Sequence, residues 1–369
     1  MRFTLSRGPL FTAVTSAHGV AERKPAVPVL SHVLLEAAGD QVTLRATDLD
    51  HTFVARIEAS VEAPGSAIVL AQTLYDALRK TGEVETLDFS IKEEGSSLFV
   101  KAGRSRFNLA MLQGVPFPEE GTFTATTSFS LSSTAIKQLL DKTRFSISME
   151  ETRYALNGIY LHTNAEGNAL CAAATDSHRL AVTSVPCAPQ AALSLILSRK
   201  TIAEMVRLFD QPKKDVLVEV SPTQIRFDCK DQVLTARLVD GAFPEYTRVI
   251  PERGEIFFDI DRRRFIESVD RASIIADETV RIVKLKVQEG ILLVSSLQHE
   301  LGAAEDEVDI AYTGSTPWEA GFNARYLLEA AEHVNGDMVR IYVVDALAPI
   351  LVESPGNHAT SFVVMPMRV

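Results

Sequence analysis

Asp176, His178 and Arg179 stand together in the segment Ala174-Thr175-Asp176-Ser177-His178-Arg179-Leu180. An Asp-x-His pair could ligate a metal or activate a water. Either role needs more groups, and no second His or carboxylate cluster falls at metal-ligand spacing. No phosphate-cradling Gly loop and no G-x-S-x-G elbow appears. Cys171, Cys187 and Cys229 are odd in number and lack ligand spacing, so inert thiols in a reducing cytoplasm are expected. The expectation is a chain with no catalytic residue, no metal and no cofactor.

The elements around this segment repeat. Phe3-Thr4-Leu5-Ser6, Ala46-Thr47-Asp48 and Phe117-Pro118-Glu119 return as Phe129-Ser130-Leu131-Ser132, Ala174-Thr175-Asp176 and Phe243-Pro244-Glu245, shifted by 126 to 128 residues. A third round opens at Phe258-Asp259-Ile260. Such a period is far too long for a solenoid, so each copy is a domain. The segments matching the Asp-x-His pair, Thr47-Asp48-Leu49-Asp50 and Ser296-Leu297-Gln298-His299, keep no such set, which speaks against catalysis. The 369 residues therefore divide into domains at 1–122, 128–248 and 256–369, with short joints at 120–127 and 248–255.

Within the second copy the apolar period alternates between two and 3.6. Phe129 and Leu131 read as a strand, and Ser133-Thr134 as an N-cap before Ile136, Leu139 and Leu140. Ile202, Met205, Val206 and Phe209 make a second helix face, and Leu327, Ala330, Ala331 and Val334 repeat it 125 residues later. Leu10, Ala13 and Val14, with Phe265, Val269 and Ala272, match the first helix. Each domain should hold two helices and about eight strands, an α+β fold with helices on one side of antiparallel sheets.

Net charge is −11, which argues against nucleic-acid binding over the whole surface. The basic residues nevertheless gather on the helices: Arg7, Arg79 and Lys80, then Lys137, Lys142, Arg144, Arg199, Lys200 and Arg207, then Arg262-Arg263-Arg264, Arg271 and Arg325. Recurrence in three copies points to a lining that faces phosphates. Two chains closed head to tail would present twelve helices, leaving an opening of roughly 22–28 Å at ordinary helix spacings. A duplex fits such an opening loosely, without base readout. No stretch is apolar and long enough for a membrane span, and Met1-Arg2-Phe3-Thr4-Leu5 runs into a strand pattern without a signal peptide.

On four segments the chain resembles the bacterial DNA polymerase III beta subunit family, the DNA sliding clamps, over its full length. They are Arg153-Tyr154-Ala155-Leu156-Asn157-Gly158, Ala174 to Leu180, Leu238-Val239-Asp240-Gly241-Ala242-Phe243-Pro244-Glu245-Tyr246, and Val364-Met365-Pro366-Met367-Arg368-Val369. The resemblance implies a non-catalytic processivity factor, a homodimeric ring around double-stranded DNA, set on it by a clamp loader in the cytoplasm. It also implies a pocket for hydrophobic peptides of the replicative polymerase and other clamp-binding-motif proteins. That pocket would use Arg153, Leu156, Thr175, Ser177, His178, Arg179, Leu180, Pro244, Arg248, Val249, Asn323, Tyr326, Leu347, Val363, Val364, Met365, Pro366, Met367 and Arg368. DNA would be faced by Lys24, Arg79, Lys80, Lys137, Tyr154, Arg199, Lys200 and Arg207. The dimer seam would set Arg104, Arg106, Phe107 and Leu109 against Ile274, Ile275 and the acidic run from Glu300 to Glu307. Ala155, Val280 and Pro349 stand where relatives often carry other residues, which bears on DNA contact and peptide specificity. A ring scaffold that never encircles DNA is the rival reading, and the basic helical faces argue against it.

Overall fold

The structure, a computed structural model, describes residues 1–82, 84–91, 95–210, 216–275, 281–296 and 302–368. The first repeat runs β1 (Arg2–Ser6), α1 (Arg7–Val20), β2 (His32–Ala38), β3 (Gln41–Thr47), β4 (His51–Ala63), β5 (Gly65–Leu70), α2 (Ala71–Lys80), β6 (Thr86–Ile91), β7 (Ser97–Ala102) and β8 (Ser105–Ala110). The second runs β9 (Thr127–Leu131), α3 (Ser133–Asp141), β10 (Gly158–Thr163), β11 (Ala169–Thr175), β12 (Arg179–Pro186), β13 (Ser194–Ser198), α4 (Arg199–Leu208), β14 (Val216–Val220), β15 (Gln224–Asp228) and β16 (Gln232–Arg237). The third runs β17 (Phe257–Asp261), α5 (Arg262–Ser273), β18 (Ile282–Gln288), β19 (Ile291–Ser296), β20 (Glu305–Asp309), β21 (Ala311–Tyr312), β22 (Trp318–Asn323), α6 (Ala324–His333), β23 (Met338–Tyr342), β24 (Ile350–Ser354) and β25 (Asn357–Val364). The α+β class with antiparallel sheets and two helices per repeat follows.

Helix faces obey the apolar periods. Leu10, Ala13, Val14, Phe265, Val269, Ala272, Leu327, Ala330 and Ala331 are all buried. One cap differs from expectation: Ser133 is already helical, and the Oγ of Ser132 accepts from the Ala135 N–H at 3.2 Å. On α4, Glu204 joins Ile202, Met205 and Leu208 in the interior at 3% exposure. Apolar periodicity could not announce a buried carboxylate.

The chain forms two compact units that cut through the middle repeat. The first comprises 1–136, 189–191 and 200–238; the second comprises 137–188, 192–199 and 239–369. Each contains a seam at which one repeat's sheet runs into the next. In the first unit β4 pairs with β16, Phe53 opposite Leu234. In the second β12 pairs with β25, Leu180 opposite Val363 and Arg179 opposite Val364. The fourth strand of one repeat thus takes the last strand of the following repeat, and the backbone ladder crosses the boundary without a break.

Side chains lock the first seam. The Lys200 ammonium, at the start of α4, donates to Asp48 Oδ2 at 2.6 Å and to the Val20 carbonyl at 2.8 Å. His51 lies between Asp48 at 3.0 Å and the Thr201 hydroxyl at 3.1 Å. Burial alone would raise the Asp48 carboxyl, but hydrogen bonds from His51 and Lys200 and the His51 charge hold it well below the ordinary carboxylate range. A carboxyl depressed on folding contributes stability above its unfolded pKa of about 3.9 and loses it as pH falls further. Asp48→Asn should therefore melt below the wild type at neutral pH, with the gap closing as the pH is taken below about 4. Thermal unfolding across that range checks this, and a pH-independent gap contradicts it.

Candidate functional site

The segment that looked able to do chemistry is a turn. Between β11 and β12 the Thr175 hydroxyl donates to the Arg179 carbonyl at 2.6 Å and accepts from the Ser177 N–H at 3.1 Å. Asp176 Oδ1 accepts the N–H groups of His178 and Arg179, each at 3.0 Å. Its Oδ2 accepts from Arg179 Nε at 3.0 Å. Three hydrogen bonds from backbone and guanidinium hold Asp176, so its chemistry is architectural. The first repeat builds the same turn between β3 and β4. There the Thr47 hydroxyl donates to the His51 carbonyl at 2.8 Å and accepts from the Leu49 N–H at 3.0 Å. The third turn residue has positive φ in both, 78° at Leu49 and 77° at Ser177. The two segments lack a shared Asp-x-His but share the role of Asp: His51 occupies the place of Arg179.

Arg179 is the hub of the second seam. It is 7% exposed and sits over the Tyr326 ring at 4.4 Å. It also donates to Glu329 on α6 and to the Phe145 carbonyl, the latter at 2.6 Å. The fixed guanidinium fork suits three partners at once.

Beside this turn lies a pocket of about 250 Å³ lined by Leu156, Thr175, Ser177, Arg179, Leu180, Pro244, Glu245, Tyr246, Val249, Val363 and Met365. All of it belongs to the second unit. Leu180 and Val363 face each other across the β12–β25 ladder, and the Met365 N–H donates to the His178 carbonyl at 2.9 Å, turning the tail across the mouth. Val249 is half exposed at 50% and Met365 at 38%, so apolar surface is left open at the rim. An open apolar cleft framed by Arg and Glu accepts apolar side chains and orients the polar chain that carries them.

Several residues expected in this pocket sit around it. Arg153 donates to the Ser177 hydroxyl at 2.6 Å, and Arg248 pairs with Glu245 at 2.6 Å, so both reach the lining through a neighbour. The His178 ring is 6.5 Å from that of Tyr326. Asn323 caps α6, its side chain accepting from the Arg325 N–H at 2.9 Å. Val364 is buried inside the sheet at 1%, whereas Leu347 is 76% exposed. The Met367 N–H is tied to the Gly321 carbonyl at 2.8 Å, with Pro366 before it and the exposed Arg368 after it. Val280, Glu300 and Val369 lie outside the described residues. Pro349 is partly exposed at the end of the loop before β24. Sequence reasoning missed Glu245 and Tyr246 as lining, although the repeated Phe-Pro-Glu motif marked their loop.

The basic helical residues are less free than their positions suggested. Lys200 is tied to Asp48 and Val20 in the seam, with 35% of its side chain still exposed. Arg207 pairs with the buried Glu204, and Arg79 pairs with Asp76 at 3.1 Å. Arg199 donates to the Met149 sulfur at 2.7 Å. Lys24, Lys80 and Lys137 are exposed with no ion pair among the described residues, and Tyr154 is 61% exposed. Tyr154 packs beside Gly241, where a Cβ would come within 3.1 Å of its ring and φ is +137°, so glycine is required there.

On β8, Arg104 just precedes the strand, and Arg106 on it is exposed. Phe107 is half-buried, and Leu109, two residues on and so on the same face of the strand, is 5% exposed. Ile274 is 76% exposed and Ile275 partly so. On β20, Glu305 and Glu307 are exposed, while Asp306 is held by Arg271 at 2.7 Å.

Comparison with known proteins agrees along the whole chain. Family models of the N-terminal, central and C-terminal domains of the DNA polymerase III beta subunit match residues 1–120, 130–245 and 247–368. The beta sliding clamp of Caulobacter vibrioides is 39% identical over 374 residues, and that of Escherichia coli K12 32% over 371, each covering 100% of both chains. A sliding clamp from Bartonella birtlesii, solved bound to griselimycin, superposes with a TM-score of 0.92 at 37% identity, covering 100% of both chains. A Pseudomonas aeruginosa clamp bound to griselimycin gives 0.93 at 34%, again with full coverage of both chains. With three family domains in order and relatives matched end to end, the chain belongs to the DNA polymerase III beta subunit family, the beta sliding clamps, which are non-catalytic processivity factors in DNA replication.

Proposed function

We propose that two copies of this chain, each of three clamp domains at 1–122, 128–248 and 256–369, close head to tail into a ring around double-stranded DNA. The observation that carries this reading is the rule of the seams. The fourth strand of the first repeat takes the last strand of the second, and the fourth of the second takes the last of the third. By the same rule β20, the fourth strand of the third repeat, would take β8, the last strand of the first. Among the described residues each has one ladder neighbour, β19 and β7 respectively. Within one chain these two ends are left over; two chains satisfy both, and exposed strand edges are covered. Arg104 and Arg106 on the one edge suit Glu305 and Glu307 on the other. Ile274→Ala with Ile275→Ala should yield monomers of about 40.4 kDa in light scattering, whereas an unchanged dimer mass would remove this seam assignment.

The exposed Lys24, Lys80 and Lys137 support a weak, salt-dependent hold on DNA, with Arg79, Arg199 and Arg207 tempered by their own partners. Weak contact without base readout is what sliding needs. The apolar pocket then receives short hydrophobic segments of the replicative polymerase, the clamp loader and other clamp-binding proteins in turn, through Leu156, Leu180, Val249, Val363 and Met365. No described helix is long and apolar enough to cross a membrane, and a place in the cytoplasm at the nucleoid fits these partners.

A further inference from the structure

Tyr246 lines the pocket while only 8% exposed, and a cluster of rings stands behind it. Tyr160 stacks on Phe243 at 4.9 Å and on His162 at 4.7 Å, and Phe243 meets Tyr246 edge-on at 6.4 Å. One directed hydrogen-bond chain runs through the cluster. His162 Nδ1 is 2.8 Å from the Thr163 carbonyl oxygen, which can only accept, so the hydrogen is assigned to Nδ1. In the neutral ring Nε2 is then an acceptor, and the Tyr246 hydroxyl, 2.7 Å away, donates to it. Burial, then the nearby Cys171 and Tyr160, pushes the phenol well above its ordinary range, so it stays a donor. His162 otherwise faces Cys171 across β11 and Ser194 across β13. Burial, then Glu166, pushes the Cys171 thiol up, so no second ionised group competes for the hydroxyl within this cluster.

We propose that Tyr246 is a positioning residue of the peptide pocket, its ring held at the wall by donation to neutral His162 and so fixing the shape offered to an apolar anchor side chain. This rests on the reading of the pocket as a peptide site. Without an acceptor at Nε2 the hydroxyl loses its partner and the ring is no longer held in place. Pocket shape, and with it affinity, then depends on that acceptor.

The test is fluorescence anisotropy with a labelled short peptide bearing Leu and Phe anchors, on the full-length wild type, Tyr246→Phe, His162→Gln and Leu180→Glu. At about pH 8, Tyr246→Phe should bind about two- to tenfold more weakly, the worth of one neutral hydrogen bond, with its solution mass unchanged. His162→Gln, which keeps an acceptor at the Nε2 position, should bind nearly as the wild type. If Leu180→Glu abolishes binding but Tyr246→Phe matches the wild type, the positioning role is overturned and the pocket reading stands. If the wild type binds no such peptide, both are overturned.

Discussion

Deleting residues 365–369 is expected to abolish binding of a Leu/Phe-containing peptide, a loss of about a hundredfold or more, as for central contact residues of an interface. β25 ends at Val364, and Val363 and Val364 stay locked opposite Leu180 and Arg179. The truncation therefore leaves the seam ladder in place and removes only the Met365 wall and the strap that ties Met367 to Gly321. Solution mass should not change, since the edges on β8 and β20 are untouched. Fluorescence anisotropy reads the first expectation and light scattering the second. A truncated protein that binds the peptide as tightly as the full chain would mean that the cleft beside Leu180 is not the peptide site.

Arg179→Ala should cost the fold more than any substitution at the pocket rim. The guanidinium is buried and serves Asp176, Glu329 and the Phe145 carbonyl together. Its loss unpairs Asp176 and Glu329, which are partly buried and keep two backbone N–H groups and Arg325 respectively, so the cost falls near the lower end of the about 3–5 kcal/mol for breaking a buried pair. For a unit of this size that lowers the midpoint of thermal unfolding by about 10 °C. Arg179→Lys should recover a fraction, because one ammonium cannot span three acceptors set around a planar fork. Differential scanning calorimetry distinguishes these cases. A variant melting within a degree of the wild type would show that Asp176 and Glu329 are solvated well enough without the Arg, and the hub assignment would fail.

The periods of the apolar residues made the helices and most strands legible, because burial of one face is a local property of spacing. The three-fold repetition was legible for the same reason: Phe3, Phe129 and Phe258 open strands whose side chains fill equivalent core positions, each under 9% exposed. What stayed hidden depends on a partner far along the chain. Lys200 reads as a helix-surface charge until Asp48, 152 residues earlier in the sequence, is seen to hold it. Glu204 is buried against the apolar rule, with Arg207 as its neighbour. Tyr246 was visible only as a motif letter, since its place at the pocket wall comes from Phe243, Tyr160 and His162 behind it. Asp176 carried the rival catalytic reading that the unmatched repeats spoke against, and what replaces it, the hold of its oxygens on the turn and on Arg179, shows only in the fold.

The most direct measurement of the central claim is retention on DNA of defined topology. With the protein loaded by an ATP-driven clamp loader onto a nicked circular plasmid, gel filtration should show it co-eluting with the circle. Cutting the plasmid once should release it at moderate salt, because a ring that holds DNA by encirclement slides off an end. Protein that stays on the linear DNA after cutting, or that leaves the intact circle as readily, would contradict encirclement and with it the account of the seams.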